Sequence, residues 1–371
     1  MEASKPAVRR GWIVALGVGL ALVLGGLALA YVQRGAIVLA LMDRAMARNM
    51  AAVPFADLPD GLHVVLCGAG SPMPDPTRAG PCTAVIAGQR LFIVDIGAGA
   101  TRNLTLMGLP PARAEALLLT HFHSDHMDGL GELMLQHWAA GSSIRPLTVR
   151  APPGVEQVVA GFNAAYALDR DYRIAHHGAE VVPPSGFGAA AAPFPLPDAQ
   201  GVVILDEGDL RITAFGVDHS PVEPAVGYRF DYKGRSVVIS GDTVPTRAVE
   251  DQARGADLLV HEALSPELVA RQQAAAEAAG RADLAHILAD IPDYHTTPEA
   301  AAALAQRAGV QMLLLTHIVP PLPMRALEGP FLGDAPKAFD GPLRVGRDGD
   351  MVSLDAAGGP PRLSRRRVLG R

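Results

Sequence analysis

The sequence predicts an α/β protein, a four-layer αββα sandwich preceded by one N-terminal transmembrane helix. Three observations carry this. Short apolar runs such as Ala116-Leu117-Leu118-Leu119 and Met312-Leu313-Leu314-Leu315 have the length of buried strands. Strands of this kind alternate with helical stretches in both halves of the globular part, which fits two sheets covered by helices. Finally, the stretch from Trp12 to Val32 is apolar, with no charge until Arg34. About 20 apolar residues at ~1.5 Å rise span a bilayer core of roughly 30 Å.

The N-terminal part divides into a short cytoplasmic tail over residues 1–10, an anchor over 11–33, and an amphipathic segment and linker over 34–61. The tail carries Lys5, Arg9 and Arg10. This basic flank favours a cytoplasmic N-terminus and an exported, periplasmic or extracytoplasmic, globular domain. A signal peptide is the rival reading, because Ala28-Leu29-Ala30 has the form of a cleavage site. The segment with Arg44 and Arg48 lies along the membrane surface or extends the helix, and Pro54, Pro59 and Gly61 mark the linker.

The globular domain covers 62–358, with a basic tail over 359–371. The 371 residues are 49% hydrophobic, enough for a large core, and the net charge is −6. Nothing in that balance favours a nucleic-acid surface, which would be basic. Two cysteines exclude a disulfide framework and a cysteine-rich zinc site. One Cys67–Cys82 bridge and two buried thiols both stay open.

In order, His63 to Cys67 reads as a strand and Gly68 to Gly80 as a Gly/Pro-rich loop. Thr83 to Ile86 and Leu91 to Val94 are strands joined at Gly88, the second closed by Asp95. Asp128 to Ala139 and Gly154 to Tyr166 read as helices, with a strand at Leu147-Thr148-Val149 between them. Residues 170–200 read as irregular, and His176-His177 as a surface pair. The strand Arg211 to Val217 runs into Asp218-His219. A hairpin across Lys233-Gly234 delivers Gly241-Asp242-Thr243. Leu258-Leu259-Val260 leads to His261-Glu262, and Leu313-Leu314-Leu315 to Thr316-His317. Thr297-Pro298-Glu299 is a good helix start.

The chemistry centres on Thr120-His121-Phe122-His123-Ser124-Asp125-His126, directly after a buried strand. His121 and His123 alternate on one side of an extended segment and can reach one ion. Asp125 and His126 follow after the chain has turned and can reach a second. Imidazole nitrogen and carboxylate oxygen are the ligands that zinc and similar divalent metals prefer.

His-Phe-His-Ser-Asp-His resembles the HxHxDH signature of the metallo-β-lactamase superfamily. With Gly68-Ala69-Gly70-Ser71-Pro72 and Val94-Asp95-Ile96-Gly97, it resembles the ribonuclease Z and arylsulfatase-like branch. The resemblance implies two zinc ions, one on His121, His123 and His219, the other on Asp125, His126 and His317, with Asp242 bridging. It implies that the ions share a hydroxide that attacks the substrate, with Asp125 counted among the catalytic residues as well as the ligands. It implies that Asp95 hydrogen-bonds a ligand histidine and fixes its tautomer. It further implies that Glu262 orients His295, which serves phosphate binding or protonation of the leaving group. Plain structural roles, a turn Asp at 95 and a helix-start neighbour at 295, stay open beside these.

Ribonuclease Z removes the 3′ trailer from precursor tRNA and grips tRNA with a protruding arm, expected to be basic. The corresponding residues 151–200 hold Arg170 and Arg173 against Glu156, Asp169, Asp171, Glu180 and Asp198. With the membrane segment, this makes tRNA an unlikely partner. The expected function is therefore a membrane-tethered dizinc hydrolase acting on a small anionic ester, a sulfate ester or phosphodiester. The alternative is a tRNA 3′-processing endonuclease docked on the cytoplasmic side. A lactonase or β-lactamase-like hydrolase and a non-catalytic zinc-binding module rank below these. A homodimer is compatible with all of them.

Overall fold

The computed structural model describes residues 8–51 and 53–366. Parts of the two expected tails, 1–7 and 367–371, lie outside the described residues. The chain forms two units, Met1–Pro54 and Phe55–Arg371.

The first unit holds helices Val8–Val32 and Arg34–Ala51. Within the former, Gly11–Val32 is 22 residues long with a mean hydropathy of 2.5 and no part buried. By length and composition it can cross a membrane, and a signal sequence passes the same test.

The second unit begins with β1 (Gly61–Gly68), β2 (Cys82–Ala87), β3 (Arg90–Val94), β4 (Ala114–Leu118), β5 (Leu147–Ala151) and β6 (Ala189–Pro193). There follow β7 (Val202–Glu207), β8 (Leu210–Gly216), β9 (Val226–Tyr232), β10 (Arg235–Ile239), β11 (Leu258–Leu264), β12 (Met312–Val319) and β13 (Leu343–Val345). Finally, β14 (Asp350–Asp355) and β15 (Arg362–Arg365) return to the first sheet. One sheet runs β15-β14-β1-β2-β3-β4-β5-β6 and the other β13-β12-β11-β10-β9-β8-β7.

Each sheet is antiparallel in one part and parallel in the other. β3 to β6 and β10 to β13 pair in parallel. Parallel neighbours need crossover connections, and helices supply them. Leu130–Ala139 links β4 to β5, and Arg247–Ala253 links β10 to β11. The helix Pro298–Ala308 before β12 starts as its sequence implies: Thr297 accepts a hydrogen bond from the Ala300 N–H, and Pro298 opens the first turn.

Both faces of the central strands are buried, so they read as continuous apolar runs. On β1, Leu62, Val64 and Leu66 face the layer between the sheets, with Phe92, Tyr228, Phe230 and Leu314. Val65 and Cys67 face outward to the helical layer with Leu104, Leu130 and Leu133. A matching outer layer covers the second sheet with Val249, Ala301 and Leu304. These are the four layers of the expected αββα sandwich.

Three stretches differ from the sequence reading. Within 170–200, helix Ala167–His177 reaches the His176-His177 pair, and β6 follows. The helix buries no residue: Leu168, Tyr172 and Ala175 recur at helical spacing but stay exposed, so its apolar face is not a core face. β6 is Ala-Ala-Ala-Ala-Pro, a poor strand former whose pairing with β5 decides its conformation. β15 lies inside the stretch read as a basic tail, paired to β14. Cys67 and Cys82, left open by the sequence, are bonded, with Cα atoms 5.0 Å apart.

Tyr228 on β9 is fully buried and donates its O–H to the Leu119 carbonyl at 2.6 Å, tying the second sheet to the end of β4. Tyr228→Phe is expected to lower unfolding stability by about 1–3 kcal/mol, read as a lower urea midpoint at unchanged slope. An unchanged midpoint would show that the tie carries no stability.

Candidate active site

The polar residues gather at strand ends. Asp95 follows β3, Thr120 to His126 follow β4, His219 follows β8, and Asp242 follows β10. Glu262 lies in β11 and His317 in β12. The loop carrying Asp125 and His126 packs tightly against the end of β3: the Ile96 N–H donates to the His126 carbonyl at 2.8 Å. Gly97 permits this approach, since a Cβ there would sit 2.3 Å from the Asp125 carbonyl oxygen.

The ligand atoms of His121, His123 and His219 lie within 4.8 Å of one another, and so do those of Asp125, His126 and His317. Asp242 joins His121 and His126 in one further group and His295 and His317 in another. Its Oδ2 is 3.3 Å from His126 Nε2 and 3.2 Å from His317 Nε2. All seven expected ligands thus converge. His176 and His177 sit exposed at a helix end and belong to no such group among the described residues.

These residues fit divalent cations. The buried imidazole nitrogen His219 Nε2 has no hydrogen-bond partner, and His126 Nε2 faces only the Asp242 and Asp125 carboxylates, at 3.3 and 3.4 Å. Such orphaned atoms are costly unless something takes up their lone pairs. The opposite ring nitrogens are fixed. His126 Nδ1 lies 2.8 Å from Asp95 Oδ2, and His219 Nδ1 donates to the Tyr294 carbonyl at 3.0 Å. Each bond leaves Nε2 available, which is how ligand histidines are oriented. Asp95 also accepts from the Thr120 N–H and hydroxyl, both at 2.8 Å.

Glu262 is 1% exposed, and its Oε1 lies 3.0 Å from His295 Nδ1. The same oxygen accepts from the Thr296 and Thr243 N–H groups. Thr120, Tyr294, Thr243 and Thr296 were not read from the sequence as site residues. The hydroxyls and main-chain groups they contribute leave no mark in a residue pattern, although each stands next to a residue that was read. Asp95 and His317 carry positive φ, 56° and 46°, a conformation that non-glycine residues rarely adopt and that concentrates at functional sites.

The electrostatics follow from burial and mutual charge. Burial, with the charge of His126, pushes His121 well below the ordinary imidazole pKa. Burial also disfavours charge on His126, but Asp242, Asp95 and Asp125 outweigh it and hold His126 well above that value. Burial opposes charge on Asp242, yet His317 and His126 hold its carboxyl well below the usual carboxylate range. His295 is lowered by burial and raised more strongly by Glu262, then Asp242, reaching about 9.

A family model, the β-lactamase superfamily domain, matches residues 93–318. Ribonuclease Z of Mycobacterium avium (strain 104) is 39% identical over 299 residues, covering 80% of this chain and 99% of that one. The chain belongs to the ribonuclease Z family of the β-lactamase superfamily. Ribonuclease Z of Mycolicibacterium gilvum is 37% identical, covering 79% of this chain and 96% of that one. In fold, human tRNase Z, short form, matches with a TM-score of 0.53 at 21% identity, over 78% of this chain and 98% of that one. This ribonuclease Z family member is accordingly a metal-dependent hydrolase of ester bonds.

These relatives overturn two expectations. The sulfate-ester or small-phosphodiester reading gives way to the ribonuclease Z alternative, and tRNA is no longer an unlikely partner. Within 151–200 acidic residues outnumber arginines, but the charge of one segment does not fix what the folded surface presents.

Because Asp242, Asp95 and Asp125 favour the charged form of His126 in the ion-free cluster, a cation bound there competes with its proton. Zinc uptake by the metal-stripped protein is expected to release protons, and affinity to fall as pH is lowered. Calorimetry in two buffers of different ionisation enthalpy checks this. Identical heats would mean that no such proton is released.

Proposed function

We propose that this protein is a zinc-dependent tRNA 3′-processing endonuclease, tethered to the membrane by its N-terminal helix. The observation that carries the reading is the Glu262–His295 pair beside the His/Asp cluster, in a chain matched over most of its length by relatives named ribonuclease Z. His121, His123 and His219 would hold one zinc, and Asp125, His126 and His317 the other, with Asp242 between them. Bound there, the two ions supply an activated water and offset charge on the phosphate.

The chain's own residues do the rest. Asp95 and the Tyr294 carbonyl hold His126 and His219 in the ligand tautomer. His295, kept protonated by Glu262, gives its proton to the ribose oxygen that leaves as the P–O bond breaks. Part of its raised pKa comes from Asp242, whose charge a bound cation would offset; the direct Glu262 bond remains. Cleavage of precursor tRNA at the 3′ end of the mature tRNA tests the reading. His295→Ala should keep its metal content and lose about 10²-fold in kcat or more. Unchanged turnover would make His295 structural only.

A cytoplasmic catalytic domain suits a tRNA substrate. Arg34, Arg44 and Arg48 after the apolar segment match Lys5, Arg9 and Arg10 before it, so charge does not oppose that orientation. The Cys67–Cys82 bond favours a second placement, extracytoplasmic, because disulfides persist in oxidising compartments. A C-terminal fusion to a reporter active only outside the cytoplasm should be silent. An active reporter would move the enzyme across the membrane and away from tRNA.

A further inference from the structure

Four arginines far apart in sequence meet in one cleft of about 280 Å³. Arg78 comes from the Gly/Pro-rich loop between β1 and β2, Arg325 from the turn after β12, Arg347 from the loop before β14, and Arg365 from β15. Glu328, the one carboxylate among the described lining residues, pairs with Arg347, and Asp75 pairs with Arg78, which leaves the charges of Arg325 and Arg365 in excess although the chain as a whole is −6. A concave site with charge of one sign focuses its field on the opposite sign.

The cleft is built rather than incidental. The Arg78 side chain is 3% exposed, pairs with Asp75, and donates to the Gly346 carbonyl at 3.0 Å. Arg347 pairs with Glu328. Arg365 donates to the Asp348 carbonyl at 3.3 Å, and Arg325 has no ion-pair partner among the described residues. Each guanidinium carries five donors in a planar fork, so Arg325 and Arg365 keep donors for an incoming anion. Among the described residues no aromatic ring lines the cleft, so these residues offer no stacking surface for a base.

The cleft lies close to the candidate metal centre along the chain. The Gly346 N–H, next to Arg347, donates to the Leu315 carbonyl at 2.7 Å, two residues before His317. Leu322 in the lining is five residues past His317, a span of at most about 18 Å.

We propose that this cleft is a phosphate-binding subsite that holds the sugar–phosphate backbone of the RNA substrate beside the scissile bond. The proposal rests on the ribonuclease reading above. It reads charge and spacing, not base identity, as phosphate contacts do. It also supplies the basic grip that residues 151–200 lack.

The test is the double variant Arg325→Ala/Arg365→Ala in the full chain with its metal. Both side chains lie outside the catalytic cluster. Steady-state kinetics on precursor tRNA, over a salt series, are compared with kinetics on bis-p-nitrophenyl phosphate. The expected result is a KM for precursor tRNA raised about tenfold, with kcat within about twofold and a salt slope reduced by about one per arginine. Turnover of the small diester should not change. If wild type and variant cut precursor tRNA with the same KM and salt slope, the cleft proposal alone is overturned. If the wild type leaves precursor tRNA uncut, the ribonuclease reading fails and takes this one with it. Inorganic phosphate binding lost in the variant while RNA kinetics stay unchanged would assign the cleft to a free anion and overturn the RNA assignment.

Discussion

The buried His126 imidazole sits among three carboxylates, Asp95, Asp125 and Asp242, at the rim of an apolar layer between two sheets. Charges of either sign are expensive in such a place, and they persist only because each faces its opposite. That mutual compensation governs the rest of the site. It requires Asp95 to close β3 with its carboxylate turned toward β4, and Gly97 to let the Asp125 loop come within van der Waals range. It requires the hairpin of β9 and β10 to deliver Asp242 opposite both. The sheets provide rigid ends, and the polar cluster is where those ends are reconciled.

Much of this was legible in the chain itself. Apolar runs that stop at Thr-His, as at Leu119-Thr120-His121 and Leu315-Thr316-His317, mark the end of a buried strand and the start of a polar site in one pattern. Two of the seven expected ligands, His121 and His317, stand in that pattern, and the other five lie in the segments just past the ends of β4, β8 and β10. What could not be read was of another kind. The Tyr294 carbonyl and the Thr243 and Thr296 N–H groups act through main-chain atoms, which every residue possesses. β6, made of alanine, is a strand through its pairing with β5, and the helix Ala167–His177 keeps its short apolar face, Leu168 and Tyr172, exposed rather than in the core.

Substrate class is poorly legible in the chain for a related reason. Counting charges between 151 and 200 treats recognition as a property of a segment. The fold instead assembles arginines from loops more than two hundred residues apart, Arg78 with Arg325, Arg347 and Arg365. An acidic total of −6 is compatible with a local cationic cleft, because a phosphate responds to the nearest charges when salt screens the remainder.

His317 holds a backbone angle of +46°, in a region where a branched or bulky side chain is disfavoured by about 1–3 kcal/mol. A glycine would relax that angle, but it would leave the Asp242 and Asp125 carboxylates, 3.2 and 3.3 Å from His317 Nε2, buried without their opposite. One side chain thus carries both the backbone strain and the compensation of two acids, and neither can be relieved alone.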